Sequence, residues 1–438
     1  VKPITKYATV VEDPEMIDEV MKDAIRIATH GRPGPVWIDI PMDVQGVECF
    51  SIEDAVKRAK RPLILAGNGI NCAQAREEFK FFVDQTNIPV VTSYNGVDLI
   101  SSDDRNYVGR VGVKGTRAGN FAMQNCDLLL VIGCRLPVPV TGYNYKTFAR
   151  EAEVIVVDID KDEHSKDTVK IDRFINRDAK NFLDLYWFDR SKSDWNYLCE
   201  EWKEKWPVCP TKNPSEKVDL YYFMQCLNTL KRDDDVVISD AGSAFYVCSQ
   251  ATTIKNQQRY ITSSSQAEMG FTIPACIGAA FAKDGDVIGV TGDGSFMMNL
   301  QELQTIAHYN LPVKLFVWNN DGYLSIRTTQ KKFFEGREIG TDESSGVSIP
   351  NIKYVVKSFG LEYVRCDTDV LEGSIEYALN YPGPIVCEVF CEKWQEVVPT
   401  MQGRKNADGT ISAPPLEDMY PFLPREEFYD NMIIKPLD

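Results

Sequence analysis

Apolar positions along this chain alternate between short continuous runs and longer stretches with helical spacing, and the alternation is clearest near residue 300. The run at 287–290 stops at Gly292-Asp293-Gly294-Ser295, and a helical pattern follows over 297–309. Asn310-Leu311-Pro312 breaks that pattern, and a second run at 313–318 is closed by Asn319-Asn320-Asp321-Gly322. This reads as strand, tight turn, helix and parallel strand, because strands buried on both faces are continuously apolar and the crossover between them is helical. The polar residues fall at the same end of both strands.

The pattern recurs on either side. Strands are expected at 62–66, 89–92, 128–133 and 154–158, with helices at 73–86 and 117–125 between them. A helix at 220–230 precedes a strand at 236–239 and the small-residue turn Asp240-Ala241-Gly242-Ser243-Ala244, a helix follows at 273–282, and a strand at 384–390 closes the second sheet. The front of the chain offers a helix at 14–30 and a strand at 36–40, too little to bury its own apolar faces. The expected fold is therefore α/β with doubly wound parallel sheets. It divides into an N-terminal remnant of a third α/β domain (1–50), a central domain (51–190), a linker (191–217), a diphosphate-binding domain (218–393) and a Pro-rich tail (394–438). The tail is expected to pack over a surface or a neighbouring subunit rather than fold alone.

Ligands of open parallel sheets bind beyond the carboxyl ends of the strands, so Asp293 and Asn320 are expected to converge. A carboxylate, an amide oxygen and a carbonyl from the Gly322 turn suit octahedral Mg²⁺, which leaves its other positions to water and a phosphate-bearing partner. Gly292 and Gly294 admit that partner's close approach, and Ser295 opens a helix whose free N–H groups favour an anion. The chemistry is that of a magnesium-bridged diphosphate.

A Gly-Asp-Gly followed at this distance by an Asn pair resembles the cofactor signature of thiamine diphosphate enzymes, and the flanking sequence is similar to the acetolactate synthase large subunit. The resemblance implies decarboxylation of a pyruvate-like 2-oxo acid with carboligation to an acceptor carbonyl, in a homodimer or homotetramer. It places Gly242, Ser243 and Ala244 in a second diphosphate loop. It makes Met269 the wedge that bends the cofactor and Ala267 the residue whose carbonyl receives the exocyclic amine. Ile326 and Arg327 become candidates for the substrate pocket. Where acetolactate synthases carry a tryptophan beyond the Asn pair, this chain has Thr328-Thr329-Gln330, which implies a wider, more polar acceptor pocket. The segment 32–44 is similar to the end of the family's pyrimidine-binding domain, whose front carries the glutamate that activates the cofactor. No residue here takes that role, so the catalytic residue is unassigned and the chain alone is expected to be inert. FAD, which binds the central domain of some members, is a weaker expectation: Gly67-x-Gly69 lacks a third glycine, and Leu136-Pro137-Val138-Pro139 stands where flavin-binding members carry charges. A non-catalytic cofactor-binding subunit, and a related decarboxylase or acyltransferase using another acceptor such as a sugar, stay open beside this reading.

Charge and cysteines narrow the setting. Sixty-four acidic against 48 basic residues give a net charge of −16 with no basic stripe, which argues against nucleic acid and anionic membranes as partners. Apolar runs fall short of a membrane span. The 12 cysteines include no CxxC pair, and Cys126, Cys134, Cys276 and Cys387 sit in apolar runs, so reduced thiols and a cytoplasmic location are expected. Three histidines (His30, His164, His308) argue against zinc or a histidine-centred triad. In the tail, Arg404-Lys405 is read as a solvated turn or as a contact for an anionic substrate.

Overall fold

A computed structural model describes residues 1–47, 51–186, 188–255, 258–283, 285–405 and 410–437. Two parallel strands, β1 (Tyr7–Val10) and β2 (Val36–Asp39), pair at the front beside the Ile17–Thr29 helix. The first large sheet is built from β3 (Pro62–Ala66), β4 (Val90–Thr92), β5 (Tyr107–Arg110), β6 (Leu128–Ile132), β7 (Glu153–Asp158) and β8 (Arg173–Asn176), in the order β5-β4-β3-β6-β7-β8. The second holds β9 (Val236–Ser239), β10 (Arg259–Thr262), β11 (Val287–Gly292), β12 (Val313–Asn319), β13 (Glu362–Cys366) and β14 (Ile385–Phe390), in the order β10-β9-β11-β12-β14-β13. All pairings in both sheets are parallel, as the continuous apolar runs require.

Two expectations change. The strand expected at 384–390 does not close the sheet: β14 lies between β12 and β13, and β13 is the edge. The helix expected over 297–309 is found only as a 3₁₀ turn at Leu300–Glu302 and the helix Leu303–Tyr309, with a separate helical turn at Asp293–Phe296 before it. At the break the Asn299 side chain donates to the Gly270 carbonyl at 2.9 Å, and its backbone leaves the helical region at φ −136°. A side chain committed to a neighbouring loop thus overrides the helical spacing.

The remaining segments knit the two sheets together. In the Asp194–Lys205 helix, Trp195 and Trp202 are buried in the first sheet's core, and the Trp195 indole donates to the Pro62 carbonyl at 2.9 Å. The tail packs on that core too: Leu416, Met419 and Phe428 are buried, and the buried Glu417 accepts from Arg150 at 2.8 Å and Gln124 at 2.7 Å. Between the sheets, Arg110 of β5 donates to the carbonyls of Gln250 and Thr252, and Asp98 pairs with Arg259 of β10. No helix among the described residues is long and apolar enough to cross a membrane.

Candidate cofactor site

In the second sheet β9, β11 and β12 are neighbours, with Gly292 in register with Trp318. Three loops therefore leave the sheet side by side: 240–244 after β9, 293–296 after β11 and 320–323 after β12. The carboxylate of Asp293 joins two of them, accepting from the Gly294 N–H at 2.7 Å and the Gly322 N–H at 2.9 Å. Burial pushes its pKa up to about 6, while the Gly322, Gly294 and Asn320 N–H groups favour its charged form. Asn320 is buried beside it, and its side-chain oxygen has no hydrogen-bond partner among the described residues. An acceptor in that condition costs on the order of 1–3 kcal/mol unless something completes it. A carboxylate held by N–H donors, an orphaned amide oxygen and a backbone carbonyl are the donor set of a hard cation, so these residues fit Mg²⁺.

Arg327, expected in the substrate pocket, lies instead beneath this loop at 0 % exposure. Its guanidinium donates to the carbonyls of Asp321 at 2.9 Å, Asn320 at 3.0 Å and Lys393 at 2.8 Å, so it braces the backbone that presents Asn320. Lys393 ties the same loop to Asp342 at 2.8 Å and Asp321 at 2.7 Å, and its ammonium holds the Asp342 carboxyl far below the usual range. Ile326, one residue earlier, points outward at 46 % exposure.

Glycine is required at two places here for different reasons. A Cβ on Gly322 would lie 2.1 Å from the Thr341 carbonyl oxygen, at φ +109°. A Cβ on Gly294 would lie 2.2 Å from the Tyr323 ring, so this glycine is fixed by a side chain of the protein rather than by space for a cofactor. Gly292 does face open space, with nothing within 4 Å of a Cβ there. Gly242, at φ +56°, starts the helix Gly242–Ala251, whose N-cap Ala241 offers no side-chain acceptor to the first-turn N–H groups. A Cβ on Gly242 would meet Ser325 Oγ at 3.2 Å, which brings the 240–244 loop against the start of the Leu324–Phe333 helix. Ser243, Ala244 and Ser295 are buried behind these turns.

The loop after β10 completes the rim. Ala267 takes a left-handed φ of +48°, and Met269 stands 38 % exposed. The Asn299 bond to Gly270 fastens this loop to the 293–299 turn.

Two family descriptions match this chain. The description "Thiamine pyrophosphate enzyme, central domain" matches residues 51–185, and "Thiamine pyrophosphate enzyme, C-terminal TPP binding domain" matches 240–389, the span that carries every loop above. The acetolactate synthase large subunit of Porphyra purpurea is 30 % identical over 92 % of this chain and 74 % of its own length. The chain belongs to the thiamine pyrophosphate enzyme family. Acetolactate synthase 1 of Zea mays is likewise 30 % identical, over 91 % of this chain and 68 % of its own. The isozyme 2 large subunit of Escherichia coli K12 is 29 % identical over 92 % and 77 %.

As a thiamine pyrophosphate enzyme the chain shows a feature that pattern reading missed. Asp240, at the end of β9, is fully buried, accepts from the Thr291 hydroxyl at 2.8 Å and from the Ala241 N–H at 2.6 Å, and is pushed up to about 6 by burial. It locks the 240–244 loop to β11; its one signal in the sequence was a carboxylate at a strand end. In the central domain, a Cβ on Gly67 would lie 2.2 Å from the Gly133 carbonyl oxygen and one on Gly69 would lie 2.6 Å from Gly133 Cα. The Gly133-Cys134 backbone packs against this turn, and that close approach accounts for both glycines without a dinucleotide. The side chains of Arg404 and Lys405 lie outside the described residues.

Proposed function

We propose that the chain carries the diphosphate and metal half of a site at which CO₂ is removed from a 2-oxo acid of the pyruvate class and the remaining acyl unit is joined to an acceptor carbonyl, as in an acetolactate synthase. The observation that carries this reading is the pairing of the Asp293 carboxylate, tied to the Gly322 N–H, with the unpartnered Asn320 oxygen. Asp293, Asn320 and the Gly322 carbonyl would hold Mg²⁺. The N–H groups opening the Gly242–Ala251 helix, together with Gly292 and Ser295, would receive the diphosphate. Met269 would seat the rings from the rim, with the Ala267 carbonyl accepting an amine. Bound there, thiamine diphosphate supplies an electron sink for the pair released on decarboxylation. Arg327 and Asp240 hold the receiving loops in place before the cofactor arrives, so binding does not have to order them.

Ile326 is proposed to border the acceptor pocket. A homo-oligomer is proposed on the exposed apolar pair Phe281 and Tyr309, whose rings meet edge to face at 5.3 Å, with Phe281 at 60 % exposure, and sedimentation would test it. A cytoplasmic setting is proposed on the free cysteines. The central test is calorimetric titration with thiamine diphosphate and Mg²⁺, together with product analysis on pyruvate. Asp293→Ala is expected to abolish Mg²⁺-dependent cofactor binding, and the unsubstituted chain alone is expected to yield no product from pyruvate; unchanged binding in Asp293→Ala would overturn the reading.

A further inference from the structure

The helix Gly242–Ala251, whose first turn stands among the cofactor loops, is held very differently at its two ends. At the near end Ala241 gives the first-turn N–H groups no side-chain acceptor. At the far end the carbonyls of residues 250 to 253 are all taken by side chains. Arg110, which ends β5 in the central domain, donates from Nη1 to the Gln250 carbonyl at 2.7 Å and from Nη2 to that of Thr252. Asn228 donates to the Ala251 carbonyl at 2.8 Å and accepts from the Thr253 N–H at 3.0 Å, and Lys231 donates to the Thr253 carbonyl. The Gln250 side chain, 1 % exposed, reaches three further segments. It donates to the carbonyls of Gly115 at 3.1 Å and of Pro399 in the tail at 2.8 Å, and it accepts from the Tyr221 hydroxyl at 2.5 Å.

Arg110 is buried, and no carboxylate among the described residues is paired with it. Buried charges are normally paired with an opposite charge; here the negative end of a helix takes that part. The Gln250 carbonyl lies in the last turn and points along the helix axis, so a bond to it fixes how far the helix reaches along that axis. At 1.5 Å per residue the helix is a rod of about 15 Å, which passes an axial shift undiminished to its other end. Hydrogen bonds tolerate only a few tenths of an ångström, so the first turn binds an anion well at one axial position. We propose that Arg110 is a positioning residue for the cofactor. From the central domain it sets the axial placement of the diphosphate-binding helix, and Gln250 fastens the same end to the tail. The first-turn N–H groups then stand at bonding distance from a diphosphate held on the Asp293–Asn320 metal. For its ligand this rests on the function proposed above, and for its place on the bonds at residues 250 to 253. The central domain thus contributes to cofactor capture from the far end of the helix.

Inorganic pyrophosphate and thiamine diphosphate, each with Mg²⁺, are titrated by calorimetry into the full chain and its variants, beside urea unfolding. Arg110→Met is expected to weaken both ligands about tenfold and to the same extent, because the defect lies at the diphosphate. Arg110→Lys keeps the charge and one donor and falls between. Phe182→Leu, in the core on the opposite face of the first sheet, is expected to lower stability and leave both affinities unchanged. Unchanged pyrophosphate affinity in Arg110→Met would overturn the proposal. So would an equal loss in Phe182→Leu, which would trace the effect to general stability. Should Arg110→Met fail to fold, Arg110→Lys and Gln250→Met carry the comparison: a loss of about fivefold is expected in each, and unchanged affinity in either overturns it. If the unsubstituted protein binds neither ligand, the proposed function fails and hydrogen exchange in the cofactor-free protein decides the role of Arg110. Rates along the Gly242–Ala251 helix are expected to rise about tenfold in the Arg110 variants with those of β11 unchanged, and unaltered rates along the helix overturn it.

Discussion

Gly294→Ala would test whether the tight turn after β11 is shaped by the protein's own packing. The added Cβ would sit 2.2 Å from Tyr323 Cε1 and 2.6 Å from Cδ1. Ordinary carbon contacts begin near 3.5 Å, so the ring must move by about 1 Å. It is not free to do so, because the Tyr323 N–H is bonded to the Thr341 carbonyl at 2.8 Å and the next residue, Leu324, is buried. Overpacking of this kind costs about 1–3 kcal/mol. Moving the ring also drags the Gly322 turn away from Asp293, so the strain falls on cofactor binding as well, by about 5- to 150-fold if all of it is expressed there. Urea unfolding and calorimetric titration with thiamine diphosphate and Mg²⁺ would read the two effects. The decisive control is a double-mutant cycle with Tyr323→Ala, in which the alanine at 294 should become nearly silent. If Gly294→Ala is as damaging with Tyr323 removed as with it present, the clash is not the cause and the reasoning fails.

Asn320→Ala should leave the cofactor-free protein at least as stable, since the amide oxygen has no bond to lose and its burial is unfavourable, yet abolish Mg²⁺-dependent cofactor retention; a large drop in unfolding free energy would show a structural role instead. Arg327→Met removes the donor to three loop carbonyls and should cost about 2–4 kcal/mol in urea unfolding with a parallel loss of cofactor affinity, whereas a solvent-facing pocket residue would lower activity alone. Lys231 is buried, and burial lowers its pKa to about 7. Its folded pKa lies below the unfolded one, so the unfolded chain binds more protons between about pH 7 and 10, and this group makes stability rise with pH by up to about 1.4 kcal/mol per unit. Lys231→Met should flatten that rise, as read by unfolding at a series of pH values across this window.

The central strands were legible because a strand buried on both faces can be written in apolar residues alone. β3, β6, β7, β9, β11, β12 and β14 all appear in the sequence as such runs, and with them the ends at which Asp293 and Asn320 stand. The strands that escaped this reading in the two large sheets are β5, β8, β10 and β13, which are the four sheet edges. Each carries an arginine, at the end of the strand in β5 (Arg110), β8 (Arg173) and β10 (Arg259) and inside it in β13 (Arg365), so the apolar run is short. The family resemblance was legible for a similar reason: turn residues at the ends of strands are constrained by chemistry that a few positions express.

What the sequence determined by itself was the set of loops and the ligand types they carry, because spacing along the chain decides which residues end a strand. Only the tertiary structure decided which side chains serve the ligand and which serve the loops. Arg327 is one residue from Ile326 in the chain, yet it is buried under the Asn320 turn while Ile326 faces outward. Gly294 answers to Tyr323, on the far side of a whole helix and strand. Lys114 meets Tyr246 from a different sheet. Contacts of that kind depend on how the two sheets and their helices pack, and local pattern carries no record of a neighbour that arrives from elsewhere in the chain.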